Sequence, residues 1–163
     1  DGRLAAVAAR EDMSKPYEGR TVSLIDVASA AAGCTDAEIA RIPVGSDDPA
    51  EPTRPFAVAF APDGRHLVAS CFRTNTISLV DVDAALAGRT AEVARIRPQL
   101  AGGAPARPRG IAIVGPDLAA VTGGAKSGPG SSVVFLIDLR RARVAATVTG
   151  VGNESYFLAA FEA

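Results

Sequence analysis

Two hexapeptides of this 163-residue chain, AEIARI at residues 37–42 and AEVARI at 91–96, differ at one position. They belong to a longer duplication. TVSLIDV at 21–27 matches TISLVDV at 76–82, and DGRLAAV at 1–7 matches DGRHLVA at 63–69. A third copy runs through PDLAAV at 116–121 and SVVFLID at 132–138. The aspartates that close these apolar segments, Asp26, Asp81 and Asp138, stand 55 and 57 residues apart. Repetition at such a period means that each copy is one supersecondary unit, which buries its apolar surface only by stacking on its neighbour.

The middle copy shows what the unit is. Residues 56–61 are an apolar run, and Ala61-Pro62-Asp63-Gly64 is a tight turn in which proline presets φ and glycine takes the left-handed position. Residues 66–70 form a second strand, 71–75 a polar loop, 76–80 a β-branched third strand and 91–96 a fourth. Four short antiparallel strands with a period near fifty predict a blade of a β-propeller. With strands lettered A to D from the axis outwards, the chain reads B-C-D, A-B-C-D, A-B-C-D, A. Repeat 1 covers residues 1–54, repeat 2 covers 55–108, and repeat 3 with a lone closing A strand (155–161) covers 109–163. The expected fold is all-β: about three blades of a larger ring of about six to eight. The closing strand is expected to complete the first blade. An arc of three blades leaves two apolar flanks uncovered. Another polypeptide or a missing segment is therefore expected to complete the ring, with a pair of copies as the alternative. Asp1-Gly2 falls in mid-turn, so the sequence reads as a processed or truncated piece.

The residues of 55–83, PFAVAFAPDGRHLVASCFRTNTISLVDVD, resemble the YVTN-type repeat of bacterial propellers. That repeat has a proline-led inner strand, an Asp-Gly turn, a short strand and an NTVSVID motif. Asn75-Thr76-Ile77-Ser78-Leu79-Val80-Asp81 carries the motif almost intact, whereas the flanking copies keep its apolar core and aspartate but not the asparagine. The resemblance implies the propeller fold and a periplasmic or secreted location. It does not imply one function, because this fold serves binding proteins, redox subunits and lactone hydrolases alike.

Bulk properties exclude several classes. A formal charge of −1 gives no reason to expect nucleic acid or an anionic membrane as partner, and 5% aromatic residues with no tryptophan offer no base-stacking platform. No apolar run is long enough to span a bilayer. Metal- and nucleotide-binding motifs such as Cys-x-x-Cys, His-x-x-His and the P-loop are missing, so no metal or cofactor is expected.

Loop lengths point to one face. The A–B turns are tight, but the B–C and D–A connections are long and emerge together on one side of the disc. Arg54-Pro55 and Arg107-Pro108 hold equivalent places just before strand A, so Arg54 and Arg107 are expected near the mouth of the central channel. Arg73, Arg109 and Lys126 are the further candidates for an anion-binding group there. The plainer alternative is a set of solvated arginines answering Asp47, Asp48 and Glu51. Glu154 takes the aligned place in the next repeat and interrupts the positive ring. Asp12, Asp47, Asp48, Glu51 and Glu154 share this face but lack the spacing of a calcium loop. The glycines at 123–124 and 128–130 read as a mobile loop.

The lone histidine, His66, falls beside a tight turn away from the long loops and reads as a strand-edge residue. Cys34 and Cys71 fall on opposite faces, too far apart to be bridged, and are expected to be free thiols. Asp26, Asp81 and Asp138 recur once per repeat and read as turn caps. The expected function is a non-catalytic scaffold recognising a partner protein or small anion through the long-loop face. The alternative is the propeller part of a periplasmic oxidoreductase, such as an amine dehydrogenase, or a lactone hydrolase.

Overall fold

A computed structural model of the chain describes residues 2–11, 18–124 and 131–160. It contains three antiparallel sheets whose strands run in sequence order. The first holds β1 (Leu4–Ala9), β2 (Thr21–Asp26) and β3 (Glu38–Pro43). The second holds β4 (Pro55–Phe60), β5 (His66–Cys71), β6 (Thr76–Asp81) and β7 (Glu92–Ile96). The third holds β8 (Ile111–Gly115), β9 (Leu118–Gly124), β10 (Ser132–Asp138) and β11 (Arg143–Thr149). The fold is all-β, three propeller blades stacked face to face, and the predicted strands up to residue 149 are met within a few residues at their ends.

Alternation along the strands explains the stacking. In β5, Leu67, Ala69 and Cys71 join Val22, Leu24, Ile42 and Val44 of the first blade in one core. Val68 of the same strand, with Ile77 and Leu79 of β6, faces the other way and packs with Val121, Val133, Phe135 and Ile137 of the third blade. A period of two therefore places apolar side chains on both faces of the middle sheet. The outermost strands β3 and β11 are largely exposed.

Each C–D pairing contains a register shift at the same place: between Leu24 and Ile25, Leu79 and Val80, and Leu136 and Ile137. The aspartate closing each C strand acts as expected of a cap. Asp26 accepts from the Ser29 N–H at 2.7 Å and Asp81 from the Ala84 N–H at 2.8 Å, opening the short helices α1 (Val27–Ala31) and α2 (Val82–Leu86). Asp138 accepts from the Arg141 N–H at 2.9 Å and pairs with its guanidinium.

Three expectations are corrected. Residues 155–160 form no strand, although the segment occupies the place of an A strand beside β8. Its Tyr156 carbonyl accepts from the Gly110 N–H, just before β8, and from the Thr122 hydroxyl of β9, but among the described residues no B strand lies alongside to supply a ladder. Nor does it complete the first blade, whose sheet has β1, β2 and β3 alone; position 161 lies outside the described residues. Gly123 and Gly124 are not loop but the end of β9, paired with Val133 and Ser132. A Cβ on Gly123 would lie 2.5 Å from the Ala106 carbonyl oxygen, which is why glycine stands there. Residues 128–130 lie outside the described residues.

Both cysteines are free, Cys34 exposed and Cys71 buried. Burial pushes the Cys71 thiol up to about 11. In the native protein at pH 8, a thiol-reactive disulfide reagent should therefore modify Cys34 alone, with the second equivalent appearing only after denaturation. The Asp81 carboxyl is held below its ordinary value, chiefly by the Ala84 N–H. A depressed folded-state pKa stabilises above the unfolded value near 4 and is lost as pH falls through the folded one. Asp81→Asn should accordingly melt below the wild type at pH 7, and the gap should close as the pH drops below about 4.

Candidate functional site

The long-loop face carries a pocket of about 550 Å³ lined by Arg10, Arg54, Phe72, Arg73, Asn75, Pro105, Arg107, Arg109, Glu154 and Tyr156. Four of the five arginine and lysine positions singled out from the sequence, Arg54, Arg73, Arg107 and Arg109, meet here. Lys126 lies outside the described residues. Arg10, from the B–C loop of the first blade, adds a fifth arginine. Among the described residues one carboxylate, Glu154, lines the pocket with the five guanidiniums.

The backbone presents these residues by a repeated device. Arg54, Arg107 and Glu154 occupy the aligned position before strand A in successive repeats, and all three have left-handed φ values of 51°, 44° and 48°. Such a conformation costs a non-glycine residue roughly 1–2 kcal/mol. Recurrence of that strain at one rim position in every repeat marks a geometry held by its surroundings. The Phe72 N–H donates to the Arg54 carbonyl at 3.0 Å and the Arg73 N–H to the Thr53 carbonyl at 3.1 Å. In the next blade the Arg107 N–H donates to Oδ1 of Asn75 at 3.0 Å. Asn75 is itself left-handed, at φ 57°. Its role in holding Arg107 was not evident in the sequence, where it stood only as part of a fold motif; asparagine's tolerance of left-handed backbone was the available signal.

Arg109 is the most unusual member. It holds the aligned place of Phe56 and Tyr156, one residue into the A segment, yet it is only 2% exposed. Its guanidinium carbon stands 5.5 Å from the Phe72 ring centre and 5.1 Å from that of Tyr156. Arg107 also lies over Phe72, at 5.7 Å. Stacking of this kind fits the flat, weakly hydrated guanidinium. One Arg109 terminal nitrogen donates to the Ser155 carbonyl at 3.4 Å, but its Nε is buried with no hydrogen-bond partner in the protein. Among the described residues Arg109 pairs with no carboxylate. A buried cation so placed calls for a counter-charge.

The acidic residues proposed to neutralise this face do not all do so. Asp47 pairs with Arg95 at 3.0 Å, away from the pocket, and that ion pair holds its carboxyl below the ordinary value. Glu51 accepts from the Ser46 hydroxyl, and Asp48 from the Ala50 N–H at 2.8 Å. Asp12 lies outside the described residues. No cluster of metal-binding side chains occurs among the described residues. His66 sits on the opposite face, its Nδ1 2.5 Å from Asp63 Oδ2.

A second repeated device holds the pocket's floor. The buried Ser70 hydroxyl meets the Ala57 N–H at 3.1 Å within its own blade and donates to the Arg109 carbonyl of the next. Thr122, the aligned residue of β9, accepts from the Gly110 N–H and donates to the Tyr156 carbonyl, both at 2.9 Å. Gly110 lets the Tyr156 segment lie close, since a Cβ there would come within 2.3 Å of the Tyr156 carbonyl oxygen. The two residues that stack on each other, Arg109 and Tyr156, are thus fixed by equivalent hydroxyls.

No protein-family model matches the chain, and no curated protein matches it in sequence. Solved structures do match in fold. Hydrazine synthase of Kuenenia stuttgartiensis superposes with a TM-score of 0.63 over 91% of this chain, at 18% identity. Apo AztD from Citrobacter koseri superposes with a TM-score of 0.53 over 85%, at 15% identity. The chain spans about a third of the length of each, 34% and 32%. Fold and pocket together define a propeller-type segment with an arginine-rich pocket on its long-loop face.

If the hydroxyl latch positions Arg109, Ser70→Ala should cost about 1 kcal/mol of stability through the lost buried hydrogen bonds. Ser70→Thr should restore it, as threonine serves the same role in the next blade. Chemical denaturation of the two variants checks this.

Proposed function

We propose that this chain is a non-catalytic binding scaffold that captures a small anion at the mouth of its propeller channel. The observation that carries the proposal is the buried, stacked guanidinium of Arg109, which among the described residues pairs with no carboxylate, in a pocket whose described lining adds four further arginines and one glutamate. Guanidinium forks match carboxylate and phosphate oxygens, and a partly desolvated cluster of one sign concentrates the opposite charge. Rigid blades hold the loops, so little ordering is lost on binding. We read the repeats as YVTN-type on their own motifs, and with that reading goes a periplasmic or secreted setting. Further blades, from another polypeptide or from a longer form of this one, would cover the two outer flanks. The fold neighbours do not favour an oxidoreductase or hydrolase role for this segment, since likeness at this identity concerns fold alone. His66, which a hydrolase triad would need, lies across the disc from the pocket.

Thermal melts with inorganic phosphate test the proposal. Phosphate at millimolar concentration should raise the melting temperature, and sodium chloride should erode the rise. Arg54→Gly and Arg107→Gly should each weaken phosphate binding about tenfold. Arg107→Gly should not lower the melting temperature of the free protein, because glycine adopts the left-handed rim conformation without strain. An equal phosphate response in the double variant would refute the site.

A further inference from the structure

The arginine chamber does not end at its charged walls. A smaller cleft of about 70 Å³ opens beside it, lined by Phe56, Phe72, Tyr156, Arg10 and Arg54. Four of these five residues also line the chamber, so the two spaces share a wall. Three aromatic rings build the cleft: Phe56 lies 6.3 Å from Phe72 and 5.9 Å from Tyr156, tilted by 32° and 39°. Phe157 closes on Phe56 from the far side at 5.9 Å. Phe56 and Tyr156 hold one aligned place of the repeat, but the full set of three rings does not recur. The places aligned with Phe72 are Arg10 in the first blade and Gly124 in the third, and the place aligned with Phe56 and Tyr156 is Arg109 in the third.

We infer that the ligand is an organic oxyanion, a carboxylate or a phosphate monoester, whose acid group sits among the arginines and whose short apolar tail enters the aromatic cleft. This inference rests on the anion-binding reading and narrows it. An inorganic anion would use the chamber and leave the cleft's apolar surface wet. A cleft of this size holds roughly two waters' worth of volume, hence a tail of about two or three carbons. Long acyl chains and bulky rings do not fit. Arg10 places its guanidinium carbon 5.7 Å from the Phe56 ring centre, so charge and ring meet at the boundary between chamber and cleft. Glu154, which lines the chamber, disfavours a ligand that spreads further negative charge across that side.

Calorimetric titration of the protein with two homologous series separates the possibilities. The probes are acetate, propanoate, butanoate and hexanoate, then methyl, ethyl and propyl phosphate beside inorganic phosphate. Affinity should rise about fourfold with each methylene until the cleft is filled. The rise should stop after butanoate in the first series, and whichever series binds more tightly identifies the acid group. Phe56→Trp, which fills the cleft, should remove the dependence on chain length while leaving inorganic phosphate bound; if that variant fails to fold, Phe56→Leu, which enlarges the cleft, should move the plateau to a longer chain. Equal affinity along both series, with inorganic phosphate binding as tightly as its esters, would overturn the inference and leave the anion site standing. No binding of any oxyanion would overturn both.

Discussion

The middle sheet is apolar on both faces, and that one fact organises the molecule. A strand such as β5 has no solvent-facing side: Leu67, Ala69 and Cys71 are buried against one neighbour and Val68 against the other. A sheet of this kind is stable only between two others. Antiparallel sheets more often keep one face wet. Stacking about an axis then follows, because flat packing of twisted sheets rotates each relative to the last. The inner strands β4 and β8 converge, and the loops ahead of them are brought to a common mouth.

Convergence is what turns scattered residues into a site. Arg10, Arg54, Arg73, Arg107 and Arg109 come from three blades and span about a hundred positions of sequence. None has a neighbour in the chain that marks it as functional. Side-chain and main-chain hydrogen bonds do the fine placement. Asn75 fixes Arg107, Ser70 fixes the Arg109 main chain, and Thr122 fixes that of Tyr156. Stacking against Phe72 and Tyr156 holds the guanidinium of Arg109 flat and partly dry. The electrostatic character of the mouth depends on these uncharged residues as much as on the arginines.

The repeat made the fold legible in the sequence. Copies of AEIARI, of TISLVD and of the Asp-Gly turn set the strand count per blade, the caps at Asp26, Asp81 and Asp138 and the face carrying the long loops. The position of Arg54 and Arg107 followed from the same alignment, because equivalent places in a radial fold lie around one axis. Residues that break the repeat were harder to read. Arg109 stands where its counterparts are aromatic, and sequence spacing does not reveal that it is buried. Arg10 was hidden by alignment with Phe72, a residue of opposite chemistry. The fate of 155–160 was illegible for another reason: its pattern is that of a strand, but a strand is a relation to a partner, and apolar alternation does not say whether one is present. Gly123 and Gly124 were misleading because glycine marks close backbone approach as readily as a loop.

The left-handed turn at Arg54, Arg107 and Glu154 has an evolutionary implication. The kink recurs whether a strand follows it, as after Arg54 and Arg107, or none does, as after Glu154, and two quite different side chains already occupy it. Selection is therefore free to exchange the residue at that point in one blade without disturbing the others. Specificity in such an architecture is a matter of composition around a circle, one interchangeable letter per sector, and relatives sharing this scaffold can diverge in what they hold while their cores stay alike.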